Sequence, residues 1–162
     1  MIEATLSYLL RQNPRPEVLL GFKKTGFGVG KIDGIGGKLE AGETPAEGAV
    51  REVAEETGVR VDPSDLVPVG DISFLFAASR PMEHHVFLFL VRRWVGEPAE
   101  TEEIRPAWFS VGALPWEGMW ADAPHWLPGV LRGEGVRGEI TFQIDNEHVA
   151  SVALRPSPST RP

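Results

Sequence analysis

Gly37-Lys38-Leu39-Glu40-Ala41-Gly42-Glu43-Thr44-Pro45-Ala46-Glu47-Gly48-Ala49-Val50-Arg51-Glu52-Val53-Ala54-Glu55-Glu56-Thr57-Gly58-Val59 is the stretch that decides the fold. Its centre predicts a helix over 44–57. Thr44 caps it, Pro45 suits its first position, and Glu47 completes a capping box. Gly58 supplies the left-handed stop. Ala46, Ala49, Val50, Val53, Ala54 and Thr57 recur at helical spacing, so that side is expected to pack inward. Glu52, Glu55 and Glu56 fall within roughly a 100° arc, with Gly48 one turn earlier. Like charges so placed repel by roughly 0.2–0.5 kcal/mol per exposed pair. A hard divalent cation reverses that cost, because magnesium accepts carboxylate oxygens and keeps positions for water and phosphates.

Working outward, Gly21 to Gly42 holds eight glycines. That density implies unusual backbone angles or close approach to a ligand. Phosphates need such free N–H groups near at hand. Ile2–Leu10 and Glu17–Phe22 read as strands around the turn Asn13-Pro14-Arg15-Pro16. Leu66–Ala77 and His84–Val95 read as longer strands, and Arg105–Phe109 as a short one. Ala121–Leu131 is a weaker helix, interrupted by Pro124 and Pro128. Gly138–Asp145 and His148–Leu154 form a hairpin around Asn146. The Pro- and Ser-rich chain from Arg155 onward reads as a frayed tail. The expectation is one domain over 1–155, a flexible 156–162, and an α/β (α+β) fold with a mixed sheet covered by helices.

The 162 residues carry a net charge of -7. A surface that acidic argues against binding duplex nucleic acid, which needs a basic face. It leaves room for a phosphorylated ligand whose cation inverts the local field. With no cysteine, thiolate nucleophiles and cysteine-based zinc sites are excluded. The longest apolar run, Val86–Val91, is too short to span a bilayer, and Met1–Leu10 lacks the pattern of a signal peptide. A cytoplasmic protein without membrane contact is expected. His84, His85, His125 and His148 read as structural or solvent-facing, with His84 and His85 on opposite strand faces.

Gly37, Glu43, Arg51, Glu52, Val53, Glu55, Glu56, Gly58 and Val59 together resemble the Nudix box, nine positions in fixed register over 23 residues. The resemblance implies an α/β/α sandwich and a hydrolase that cuts nucleotide phosphoanhydrides with Mg²⁺, or Mn²⁺ as substitute. By that resemblance Glu52, Glu55, Glu56 and the Gly36 carbonyl are metal ligands. Arg51 and Glu43 hold the glutamates in place, and Lys38 faces the phosphates. One further catalytic carboxylate often comes from outside the box. Glu102 and Glu103 are the candidates, and Glu103 is favoured by its place before Arg105-Pro106. Glu56 is the favoured general base, with Glu52 and Glu103 as alternatives.

Outside the box the chain is similar to the MutT-homologue branch that hydrolyses 8-oxo-dGTP. The similarity runs through Val18 to Lys38, Val86-Phe87, Glu103-Ile104-Arg105-Pro106, Trp108-Phe109, Met119-Trp120 and Trp126. It implies a substrate site of Lys23, Phe27, Asp33, Lys38, Phe74, Met82, Trp120 and Asp122. Aromatic rings suit a flat base, and Met82 suits a soft lid. Three positions depart from the branch. Asp33 stands for a base-reading asparagine, Ala123 for a second base-reading acid, and Ile32 for a tryptophan. The implied reaction yields a nucleoside monophosphate and pyrophosphate. The implied partner is a nucleoside triphosphate, bound by a monomer or weak dimer. Two alternatives stand beside it. One is a Nudix hydrolase of another nucleotide, a dinucleoside polyphosphate or a nucleotide sugar. The other is a non-catalytic nucleotide-binding regulator.

Overall fold

The computed structural model describes residues 1–158. Its strands are β1 (Ile2–Gln12), β2 (Pro16–Lys23) and β3 (Ile32–Asp33), followed by helix α1 (Pro45–Thr57). Then come β4 (Leu66–Phe76), β5 (His84–Val91), β6 (Ile104–Ser110), the short helix α2 (Leu127–Leu131), β7 (Gly135–Phe142) and β8 (Val149–Ser157). The strands join in the order β3-β2-β1-β5-β4-β7-β8, with β6 paired to the other edge of β2. β1–β5 and β4–β7 are parallel and the remaining pairs antiparallel, so the sheet is mixed, as expected.

β1 joins the two halves of this sheet. Ile2 to Leu9 run parallel to β5, and Leu10 to Gln12 turn to pair with β2. A strand covered on both faces reads as a nearly continuous apolar run. In β5 the alternation sorts Val86, Leu88 and Leu90 to one core cluster, and Phe87, Phe89 and Val91 to the other. The first cluster lies under α2 and the turns around it, with Trp126, Leu127 and Val130 buried. The second lies under α1, with Ala49 and Val53 buried against Leu9, Leu19 and Ile35. Helices therefore cover both faces of the sheet, which is the sandwich the box implied.

α1 keeps its expected ends. The Thr44 side chain accepts from the Glu47 N–H at 3.2 Å, and the Glu47 carboxylate accepts from the Thr44 N–H at 2.9 Å. Gly58 closes the helix at φ +79°. The buried face, however, is rotated from the apolar stripe. Ala54 is exposed, whereas Gly48, Glu52 and Glu56 are buried. A helical wheel of side-chain polarity misses this because the two carboxylates are the inward groups.

Other boundaries move for local reasons. β5 stops at Val91 rather than Val95, because its partners end there at Leu9 and Leu66, and Arg92 and Arg93 are exposed. Val95 makes only an isolated bridge to Arg60. The weak helix splits into a 3₁₀ turn, Ala123–His125, and α2, since Pro124 and Pro128 each open a separate turn. The final hairpin is longer than expected. Asn146 sits at φ +58° in its turn, and pairing continues to Gly135↔Ser157. The expected fraying at Arg155 is thus replaced by ladder bonds, and residues 159–162 of that tail lie outside the described residues.

Replacing Thr44 with Ala removes one half of the capping box. It is expected to lower unfolding stability by about 1 kcal/mol, read as a lower midpoint in urea with an unchanged slope.

Candidate active site

The loop before α1 is fixed to β1 by backbone bonds. Ser7 N–H donates to the Ile35 carbonyl at 2.7 Å, Thr5 N–H to Gly37 at 3.0 Å, and Leu39 N–H to Glu3 at 2.9 Å. This close approach dictates glycine at 36, and the Glu52 side chain crowds position 37. A Cβ on Gly36 would lie 1.8 Å from the Thr5 carbonyl oxygen, and one on Gly37 would lie 2.7 Å from the Glu52 carboxyl carbon. The Gly36 N–H donates to Glu56 Oε1 at 2.9 Å. The space left by Gly48 is filled from within the protein, since a Cβ there would meet Leu39 at 2.2 Å.

Arg51 organises the carboxylates. Its Nε donates to Glu43 at 2.7 Å and its Nη2 to the other Glu43 oxygen at 2.9 Å, forming a bidentate fork. Its Nη1 reaches Glu52 at 3.0 Å and Glu55 at 3.1 Å, and Nη2 also donates to the Lys38 carbonyl at 3.0 Å. All five guanidinium donors are used. The fork holds the Glu43 carboxyl down at about 2. Glu56 goes the other way. Burial first, then the Glu52 charge, push it up to about 8, against Lys23 and the Gly36 N–H. Burial also raises Glu52, tempered by Arg51. Glu55 remains outside, with its side chain 47% exposed.

Beside these groups opens a cavity of about 360 Å³. Lys23, Phe27, Asp33, Gly36, Lys38, Phe74, Glu103, Trp120 and Asp122, all singled out in the sequence, line it. Glu52, Glu55, Glu56 and Arg51 are not in its lining; Gly36 and Gly37, which are, touch Glu56 and Glu52 from the other side. Glu103 faces the cavity, whereas its neighbour Glu102 does not. Met82 is not in the wall. It ends a 3₁₀ turn, Arg80–Met82, and packs on the core.

The far end is aromatic. Phe27 stacks on Trp120 (centroids 5.4 Å apart, planes 21° apart) and on His84 (5.1 Å, 19°). Phe76 and Phe142 stack at 5.0 Å behind them. Two acids line the same cavity. Burial pushes Asp33 up to about 7, with the Asp122 charge adding to it. The Gly34 N–H and Lys23 pull that value down. Asp122 is 3% exposed and accepts from Trp126 Nε1 at 2.7 Å. Burial raises it as well.

His84 has the structural role expected of it, inside the cavity wall. It is a buried wall residue bonded through Nδ1 to the Met82 carbonyl, and burial lowers its pKa. His85 does point away, to Asp71 at 2.9 Å. Sequence reasoning missed Phe76 and Phe142. Their only local signal was strand alternation, which does not say that β4 and β7 meet beside the glycine loop.

A purely oxygen donor set around buried, mutually repelling carboxylates has the chemistry to suit a hard divalent cation. Among the described residues no three His, Asp or Glu side chains already converge as a metal cluster. Glu52 and Glu55 are turned onto Arg51 instead. Among the described residues no helix is long and apolar enough to cross a membrane.

A sheet wedged between helices, with an acid-rich helix following a glycine loop, defines a class. The NUDIX domain family matches residues 4–130, and the chain belongs to that family. It is 43% identical over 138 residues to the oxidized purine nucleoside triphosphate hydrolase of Mus musculus, covering 85% of this chain and 86% of that one. It is 43% identical over 126 residues to the protein of the same name from Danio rerio, covering 78% and 79%. In fold it is similar to the crystal structure of the mutator MutT protein from Bacillus halodurans, with a TM-score of 0.77 at 24% identity, covering 98% of this chain and 99% of that one.

Glu56 has a testable consequence for stability. A carboxyl raised to about 8 in the folded chain binds its proton more tightly there than in the unfolded chain, near 4.3. Its contribution is full below the unfolded value and is lost as pH rises toward 8. In chelator-treated protein the melting temperature should fall between pH 5 and pH 8.5. Glu56→Gln should make that fall shallower; an identical slope in the variant counts against the assignment.

Proposed function

We propose that this chain hydrolyses an oxidised purine nucleoside triphosphate, of the 8-oxo-dGTP kind, to the nucleoside monophosphate and pyrophosphate. The observation that carries this reading is the Gly36-Gly37 backbone, which is at once cavity wall and contact surface for Glu52 and Glu56. A triphosphate reaching from the aromatic end toward Lys23 and Lys38 has its scissile phosphoanhydride beside those carboxylates. The names carried by the mouse and zebrafish relatives agree with it.

Each part has a physical task. Phe27 and Trp120 give a flat base a stacking surface. Asp33 and Asp122 face its polar edge. Lys23 and Lys38 offset the phosphate charge and orient the chain. Glu52, Glu55 and Glu56, with Glu103 and the Gly36 carbonyl, are the groups that would hold Mg²⁺, or Mn²⁺ in its place. Such a cation supplies charge neutralisation and a more acidic water. Glu56 is the favoured group to take the proton from the attacking water, with Glu52 and Glu103 as alternatives. Arg51 keeps Glu52 and Glu55 aligned. Nothing in this scheme needs a covalent intermediate. The setting is cytoplasmic and the working unit a monomer or weak dimer.

A cavity of about 360 Å³ lies near the small end of ligand pockets. That favours one base over a dinucleoside polyphosphate, and the retained glutamates favour catalysis over regulation alone.

The test is pyrophosphate release across a panel of oxidised and unmodified purine triphosphates, a dinucleoside polyphosphate and a nucleotide sugar. The oxidised purine should give the highest kcat/KM with Mg²⁺, and EDTA should abolish turnover. A preference for the dinucleotide or sugar overturns the substrate. Glu56→Gln should keep the folded circular dichroism spectrum and lose roughly 10²–10⁴-fold in kcat.

A further inference from the structure

Trp120 is held by two segments that are far apart in sequence. The first is the turn between β2 and β3. Phe27 of that turn stacks on the indole at 5.4 Å, and a Cβ on Gly28 would lie 3.3 Å from it. The second is the β7–β8 hairpin, whose Phe142 meets the indole at 5.8 Å with the planes 71° apart. One ion pair joins the two segments. Lys31 Nζ, at the end of the turn, donates to Glu147 Oε2, at the hairpin tip, at 2.8 Å. The same ammonium stands 5.1 Å from the centre of the Trp120 ring.

The turn has few other holds. Gly26, Gly28 and Gly30 alternate along it, each at positive φ, and Val29 is exposed. Lys31 N–H donates to the Gly28 carbonyl and Gly30 N–H to the Lys23 carbonyl, both at 2.9 Å. Those bonds shape the turn without fastening it to anything else. At its start Lys24 is fastened, by its N–H to the Glu103 carbonyl at 2.9 Å and by its Nζ to Glu100 at 2.7 Å. At its end the side-chain anchor is Lys31. Glu147, for its part, stands on a braced tip. Asp145 Oδ1 accepts from the N–H groups of Glu147 and His148 at 2.9 Å and 3.0 Å, and Asn146 N–H donates to the Gln143 carbonyl at 2.9 Å. An isolated exposed ion pair contributes little. This one also sets a cation against an aromatic face, and the ring concerned lines the cavity.

We propose that Lys31 and Glu147 are positioning residues for base recognition: their ion pair clasps the Phe27 turn to the hairpin tip and sets the plane of Trp120 on which the base stacks. The inference rests on reading the cavity as a purine site. Neither Lys31 nor Glu147 lines that cavity, so both act through Trp120 and Phe27 and not on the base itself. Stacking depends on the angle and offset of the rings, so a loosened indole weakens the hold on a flat base and leaves the phosphate contacts alone.

The first arm of the test needs no substrate. The indole N–H resonance of Trp120, assigned by its loss in Trp120→Phe, should move in Lys31→Met and in Glu147→Gln. It should keep its wild-type position in Lys31→Arg, since a guanidinium can both pair with the carboxylate and stack on the ring. A resonance that stays put in both of the first two variants overturns the proposal. The second arm is calorimetric, with 8-oxo-dGMP as the probe for the base end and inorganic tripolyphosphate with Mg²⁺ as the probe for the phosphate end. Lys31→Met and Glu147→Gln should each bind 8-oxo-dGMP about fivefold more weakly, the scale of one partly exposed pair with its cation–π contact. The double variant should be no weaker than Lys31→Met alone, and Lys31→Arg should bind as the wild type does. Tripolyphosphate affinity should not change. Equal losses for both probes, or losses that add in the double variant, overturn the clasp. If the wild-type chain does not bind 8-oxo-dGMP, the purine reading fails, and the indole resonance still decides whether the ion pair sets Trp120.

Discussion

The structure turns on two carboxylates being kept out of water. Glu52 and Glu56 are 8% and 3% exposed, on a helix whose other inward residues are Gly48, Ala49, Val53 and Thr57. Burial of ionised groups costs several kcal/mol each unless they are paired, hydrogen-bonded or protonated. The fold uses all three remedies. Arg51 pairs with Glu52, the Gly36 N–H bonds Glu56, and Glu56 holds its proton to about 8. The arrangement requires glycine at 36 and 37, because any side chain there would strike Thr5 or the Glu52 carboxyl.

Arg51 shows why a planar fork is used rather than a point charge. Its five donors reach Glu43 twice, Glu52, Glu55 and the Lys38 carbonyl. The glycine loop, the start of α1 and its third turn are thereby tied to one group. An ammonium has three donors and no plane, so a lysine could not serve these partners together.

β1 has a similar integrating role in the sheet. It couples the two sheet halves, carries the backbone bonds that hold the glycine loop, and places Tyr8 against Gly34, next to Asp33. The cavity lies along this strand. One end is cationic and flanked by glutamates, and the other is aromatic with two acids of raised pKa. A protein of net charge -7 can still line one stretch of a cavity with positive charge, because Lys23 and Lys38 act locally whatever the overall balance.

The chemistry of the helix was legible in the chain itself. Capping residues, the glycine stop and the spacing of Glu52, Glu55 and Glu56 are local properties, and local periodicity determines which groups share a face. The order of strands around the helix could also be read, since alternation and turn residues are local too. What only the tertiary structure decided is where those faces point. The apolar stripe placed Ala54 inside, and packing turned Glu56 inward instead. Proline positions hinted at a broken helix, but only the fold placed Asp122 and Trp126 against Tyr8. His84, Phe76 and Phe142 come from strands distant in sequence, and no single-strand pattern records which strands will meet. Pairing across the sheet is a non-local energy, summed over contacts that exist only once the chain has closed.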